Sequence, residues 1–263
     1  MSGIWDGAIG DLYSGLKMRR VWMALAHEDI GDQHRRTLLG PIWLLLNYLA
    51  FAGTFIFVFH RGELSPSYAP YVATGLLVWF YIMEVIAQSA SLFPREESFI
   101  KGTTLPLSVY VMRLTMQSVI RAGYALAGCA VILTFSGISV TPAWAWSGLA
   151  LALIVAMTPA IVIIFAILGA FLPDSQYVVS NAMRIGMFLT PVFWVYDNRG
   201  HGIQHAFYYW NPFTYFLEIV RVPILTGEFP AHAFIVCLLM GAAAWVLAIA
   251  MLGYYRKKIV FVL

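Results

Sequence analysis

Charge is scarce in this chain: Asp, Glu, Lys and Arg make up 11% of its 263 residues, where soluble domains carry about one quarter. That shortage excludes an ordinary water-soluble globule. No lysine follows a glycine, so the phosphate-binding loop, which needs Gly-Lys before Ser or Thr, is missing. The His27-Glu28 pair has Gly31 where a zinc-protease helix places its second histidine, and no Gly-x-Ser-x-Gly elbow occurs. Adjacent carboxylates are limited to Glu28-Asp29 and Glu96-Glu97, each with Lys or Arg nearby, which is poor material for holding divalent metal. The two cysteines, Cys129 and Cys237, sit in apolar stretches without disulfide or metal spacing. Catalysis within the chain is therefore not expected, and no cofactor or metal site is predicted. A fixed-period repeat, a low-complexity tract and a long polar linker are also missing, so residues 1–263 are expected to form one membrane domain.

What the chain has instead is apolar length: 61% of residues are hydrophobic and the mean hydropathy is +0.78. A spanning helix needs roughly 20 mostly apolar residues. Candidates lie near 41–60, 70–93, 107–136, 147–172, 183–197 and 232–254, the fifth so short that irregular structure is expected around it. The predicted fold is all-α and integral to a membrane, with a six-span bundle over 35–263. Within 1–34, Ile4, Trp5, Leu12, Leu16, Val21, Trp22 and Leu25 alternate with Asp6, Asp11, Lys17, Arg19 and Arg20. That pattern suits an amphipathic helix in the membrane interface, with a solvated helix as the alternative. With the amino terminus inside, Lys17, Arg19, Arg20, Arg35, Arg36, Arg95, Lys101, Arg256, Lys257 and Lys258 are cytoplasmic, and only Arg61, Arg199 and Arg221 fall outside. Both termini are thus expected in the cytoplasm. Arg113, Arg121 and Arg184 lie within or at the edges of spans.

Polar residues inside apolar spans are costly and normally face a bundle interior or a watery path. Tyr81, Glu84, Gln88 and Ser91 form one helical stripe, and Arg113, Gln117, Arg121 and Tyr124 another. Glu84 on its helix can reach either arginine, as a packing ion pair or as part of a conduction path. The aromatics, 16% of the chain, suit an interface belt or a wall that stacks on sugar faces. Between the second and third spans, Pro94 to Gly102 fits a short helix with Pro early and Gly late. Its Arg95, Glu96, Phe99, Ile100 and Lys101 are candidates for docking a partner. Residues 198–230 are too apolar for a plain loop, yet Asn211-Pro212, Glu218 and Arg221 interrupt any ordinary span. Short helices dipping into the outer leaflet fit better. His201 and His205, four apart and without further ligands, read as a surface pair.

These segments together resemble the membrane permease subunit of ATP-binding-cassette exporters for O-antigen, capsular or teichoic-acid polysaccharides. The matching residues are Arg35-Arg36-Thr37-Leu38-Leu39-Gly40-Pro41-Ile42-Trp43, Ile100-Lys101 with Leu105-Pro106-Leu107, and Asn211-Pro212-Phe213 with Glu218 through Arg221. The resemblance implies a homodimer with two separate ATPase subunits that bind ATP and magnesium. It further implies export of an undecaprenyl-diphosphate-linked glycan across the bacterial inner membrane, with membrane lipid and no nucleic acid as the remaining expectation. The helix before Arg35 becomes a gate at the lipid entrance, the 94–102 segment a coupling element, and Asn211, Pro212, Phe213, Glu218 and Arg221 part of re-entrant periplasmic helices. Arg35 and Arg36 are candidates for holding the lipid diphosphate, because a planar guanidinium can bind two phosphate oxygens; orientation by positive charge alone is the alternative. A membrane-embedded lipid or glycan enzyme and a secondary transporter remain as other classes. An ATPase that co-purifies, against turnover by the isolated chain, separates them.

Overall fold

The computed structural model describes residues 2–59, 67–196 and 202–263, and every regular element in them is a helix. The amino-terminal region is two helices, α1 (Ser2–Lys17) and α2 (Arg19–His34), with the break at Met18. Neither lies free. Asp11 on α1 accepts hydrogen bonds from the backbone amides of Leu107 (3.3 Å) and Ser108 (3.0 Å), satisfying amides that the first turn of a helix leaves unpaired. Arg256, near the other end of the chain, donates to the Gly7 carbonyl. The expectation of one interfacial helix is therefore corrected to a jointed pair docked on the bundle.

Gly40, at φ 55°, turns the chain into α3 (Ile42–Phe59). The most buried helix is α4 (Tyr68–Ser89), and it packs against α3, α7, α8, α9 and α11. Two short helices, α5 (Leu92–Arg95) and α6 (Glu97–Gly102), follow, then α7 (Leu107–Phe135) and α8 (Trp144–Phe171). Pro159 removes one backbone donor within α8. Beside it the Thr158 hydroxyl bonds Ile154 O (3.0 Å) and Tyr81 Oη (2.7 Å), tying α8 to α4. The chain closes with α9 (Ser175–Leu189), α10 (Ile203–Tyr209), α11 (Pro212–Leu225) and α12 (Ala231–Val262).

Among the described residues four helices, α4, α7, α8 and α12, are long and apolar enough to cross a membrane, and α3 is a shorter apolar helix. The protein is thus an all-α, multi-pass membrane protein. The fifth candidate, 183–197, is not one helix. Its helix starts earlier, at Ser175, and stops at Leu189, a length of roughly 22 Å against the ~30 Å of a hydrocarbon core. Pro191 is the cause: a residue before proline is pushed out of helical geometry, and Thr190 is extended at φ −90°, ψ 143°. The last helix exceeds its expected 232–254, running on through Arg256, Lys257 and Lys258.

Non-helical backbone among apolar helices has to find partners inside the protein. The segment after Thr190 does so with side chains of α4 and α11. Tyr68 Oη donates to Phe193 O (3.0 Å), and Tyr71 Oη lies within reach of Pro191 O (3.1 Å) and Trp194 O (2.9 Å). Arg221 Nη1 donates to Pro191 O (2.9 Å), while its guanidinium lies 3.5 Å from the centre of the Tyr71 ring. Gly75 leaves room for it, since a Cβ there would fall 2.1 Å from Arg221 Nη2. Arg221, expected on the outer side among short re-entrant helices, is 5% exposed and holds the broken segment in place.

Candidate functional site

The polar stripe of α7 is the organising feature. Arg113 places Nε and Nη2 on the two carboxylate oxygens of Asp29 in α2, at 2.6 and 2.7 Å, the bidentate geometry that a guanidinium favours. Its Nη1 reaches Glu96 Oε2 at 3.0 Å, and Gln117, one turn along, also donates to Asp29. A further turn on, Arg121 pairs with Glu84 of α4 and gives Nη2 to Gln33 Oε1 of α2 at 2.9 Å. Asp29 and Gln33 are four residues apart, as are Gln117 and each arginine, so two helical faces meet in register. Of the two arginines within reach of Glu84, the fold selects Arg121. Arg113 instead joins α2 to the loop that carries Glu96.

Asp29 and Gln33 escaped the sequence reading as members of this cluster. Their four-residue spacing was the available signal; which face of α2 meets α7 depends on the Asp11 and Gly7 anchors of α1. Tyr81 does not join them. Its hydroxyl is turned to Thr158, and its ring lines an apolar cavity between α4, α8, α11 and α12.

Between α4 and α7, Glu96 is 8% exposed, and Ile100, at 7%, belongs to the core, leaving Phe99 exposed at 61%. Of the two apolar residues considered for docking, only Phe99 presents its ring outward. Lys101 pairs with Glu97 across one turn (2.7 Å), and Arg95 reaches Gln88 Oε1 (3.1 Å). The expected helix from Pro94 to Gly102 is two pieces with Glu96 at the joint. Arg35 and Arg36 are exposed in the turn between α2 and α3, with Asp32 3.7 Å from Arg35.

At the far end of α4 and α9, Asn211 caps α11, its side chain accepting from Phe213 N (2.9 Å) and donating to Thr190 Oγ1 (2.8 Å). Pro212 follows at the first helical position, where a missing amide costs nothing. Phe213 meets Trp79 edge to face at 5.4 Å. Glu218 accepts from Tyr208; burial first, then that carboxylate, raises the Tyr208 phenol above its ordinary range, so it stays a donor. His205 stands against Tyr196 and Tyr209, and His201 lies outside the described residues. Cys129 and Cys237 are free and buried. No group of His, Cys, Asp and Glu that could hold a metal ion occurs among the described residues.

A second cavity, of about 540 Å³, opens between α3, α4, α7 and α9. Glu84, Gln88 and Arg121 lie on its wall with Asn47, Arg184 and the rings of Tyr48, Phe51 and Phe80. Such a lining can take up a polar, ring-shaped passenger: amides and charges offer hydrogen bonds and flat rings offer stacking faces.

Residues 20–225 match the family described as ABC-2 type transporter. The chain is also similar to O-antigen export system permease proteins of Klebsiella pneumoniae. One, named RfbA, is 26% identical over 180 residues, covering 66% of this chain and 69% of the relative. Another of the same name is 27% identical over 184 residues, with the same coverage.

Proposed function

The chain belongs to the ABC-2 type transporter family, and we propose that it is the channel-forming membrane subunit of an ATP-driven exporter of lipid-diphosphate-linked polysaccharide. O-antigen is the preferred cargo, because both relatives are O-antigen export permeases; capsular polysaccharide and teichoic acid are the alternatives. A transport role fits the family better than in-chain catalysis. The working unit is two copies of this chain with two ATPase subunits in the bacterial inner membrane. Residues 1–263 act as one domain, with both termini in the cytoplasm, six crossings, and α10 and α11 re-entrant on the periplasmic side.

The observation that carries the mechanism is the shared guanidinium of Arg113. Glu96 sits in the segment proposed to receive the ATPase, where Phe99 offers a ring to fill a groove and Arg95 and Lys101 add charge. Asp29 sits on α2, one turn and a half before Arg35 and Arg36. A push on the 94–102 segment therefore moves Glu96, Arg113 and Asp29 as a unit and shifts α2 beside the lipid headgroups. Glu84, Gln88, Gln117 and Arg121 then line or brace the path that opens.

Co-expression with an ATP-binding-cassette ATPase subunit of the same organism is the test: the two should co-purify and move lipid-linked glycan into vesicles only with ATP. Glycan turnover by the isolated chain, with no ATPase bound, would overturn the reading in favour of an enzyme. The doorway makes its own prediction. Replacing Arg35 and Arg36 together by Gln should lower export about tenfold or more, since each charge-assisted contact to a phosphate contributes about 1.5–3 kcal/mol. Normal export by a correctly inserted double variant would leave the two arginines with an orienting role alone.

A further inference from the structure

Among the described residues, the arginines held within the helical bundle have assigned partners. Arg113 holds Asp29 and Glu96, Arg121 holds Glu84, and Arg221 is spent on Pro191 O and the Tyr71 ring. Arg184 is different. It lies near the middle of α9, is exposed, and has no hydrogen-bond or ion-pair partner among the described residues. An arginine roughly 14 Å along a helix from its cytoplasmic start is costly unless it meets water or a counter-charge. What it faces is the 540 Å³ cavity. There the Arg121 and Glu84 charges cancel, so Arg184 leaves the wall with one uncompensated positive charge.

The rest of the wall narrows the ligand. Phe51 and Phe80 meet at 5.1 Å, and Tyr48 and Phe80 at 6.3 Å, both edge to face. Tyr48 spends its hydroxyl on Ala73 O (2.7 Å), so it turns only its ring to the cavity. A rigid aromatic face beside a lone guanidinium and the amides of Asn47 and Gln88 fits a sugar that carries an anion. It fits a bare ion or an acyl chain less well.

We propose that Arg184 is an anion-holding residue of this cavity, gripping a phosphate oxygen or a sugar carboxylate of the passing glycan while the rings support its apolar faces. The proposal deepens the exporter reading and rests on it. It names a passenger that bears negative charge.

The test uses the full chain in nanodiscs of uncharged lipid, with farnesyl diphosphate, trigalacturonate and neutral maltotriose as probes. At least one anionic probe should bind the wild type more tightly than maltotriose, and which one does so separates a lipid diphosphate from an acidic sugar. In R184Q that binding should weaken about tenfold, in R184K by less, while maltotriose binding and the size of the assembly stay unchanged. Three results would overturn the proposal: anion binding in R184Q within twofold of wild type, no preference of the wild type for either anion, or a smaller assembly in R184Q, which would make Arg184 a contact between copies. The exporter reading fails separately. A wild-type complex that shows the anion difference yet moves no glycan removes the transport reading and leaves the site; ATP-driven export by R184Q with unchanged anion binding does the reverse.

Discussion

Arg113→Gln should lower ATP-driven export by about 30-fold or more, while ATP hydrolysis by the bound partner continues. The substitution takes the guanidinium from two carboxylates at once, Asp29 and Glu96, whose side chains are 21% and 10% exposed, leaving Asp29 with Gln117 and Glu96 with Arg95 at 3.7 Å. Removing one partner of a fully buried pair costs about 3–5 kcal/mol. Partial exposure lowers that here, to roughly 2–3 kcal/mol, because residual water screens the orphaned charges. A loss of that size lowers the ratio of docked to released α2 by about 30-fold or more. Asp29→Asn should be milder, since Arg113 keeps Glu96 and an amide can still accept from it. The order of severity, R113Q above D29N, distinguishes a clamp with two arms from a simple α2 anchor. Export assays in vesicles give the rates, and trypsin cleavage near Arg35-Arg36 reports whether α2 has come loose. Export by R113Q within twofold of wild type would end the idea that the clamp carries the stroke.

The sequence made some of this visible and hid the rest for physical reasons. Long apolar runs announce α4, α7, α8 and α12 because burial in lipid needs nothing beyond length and composition. The stripes on α4 and α7 show themselves through four-residue spacing, and Glu84 within reach of Arg113 or Arg121 follows once the helices are antiparallel; only the fold chooses Arg121. Asp29 is harder to place. Its role depends on how α1 is anchored by the Leu107 and Ser108 amides and by Arg256, contacts that join residues about 100 to 250 positions apart. The turn at Thr190-Pro191 was foreshadowed by the short fifth run, but its rescue by Tyr68, Tyr71 and Arg221 was not, because those side chains come from two other helices. Ile100 and Phe99 are adjacent and both apolar, so only the docked orientation of α6 decides which is core and which is surface.

Gly169→Ala should lower the melting temperature by roughly 4–8 °C, taking a net cost of about 2 kcal/mol at 2–4 °C per kcal/mol for a chain of this size. Gly169 lies on α8 where the end of α4 crosses it, and a Cβ there would sit 1.7 Å from the carbonyl oxygen of Ala90 and 2.7 Å from its carbonyl carbon. Both obstacles are backbone, so no side-chain rotation relieves them; the helices must part by more than 1 Å or the residue must strain. Overpacking of this kind costs about 1–3 kcal/mol, and the rigid backbone on both sides places Gly169 at the upper end. Helix propensity pulls the other way, since alanine is about 1 kcal/mol better than glycine inside a helix, but it offsets only part of a clash with main chain. Gly148, on the same helix with nothing within 4 Å of its would-be Cβ, supplies the control: Gly148→Ala should hold or raise the melting temperature. The damage has a functional side as well, because Ala90 leads directly into the residues that present Glu96 to Arg113. Weakened export should therefore accompany the lower melting point in G169A and not in G148A. Melting of G169A within about 1 °C of wild type would mean that α8 and the end of α4 are not in the contact that Gly169 makes possible.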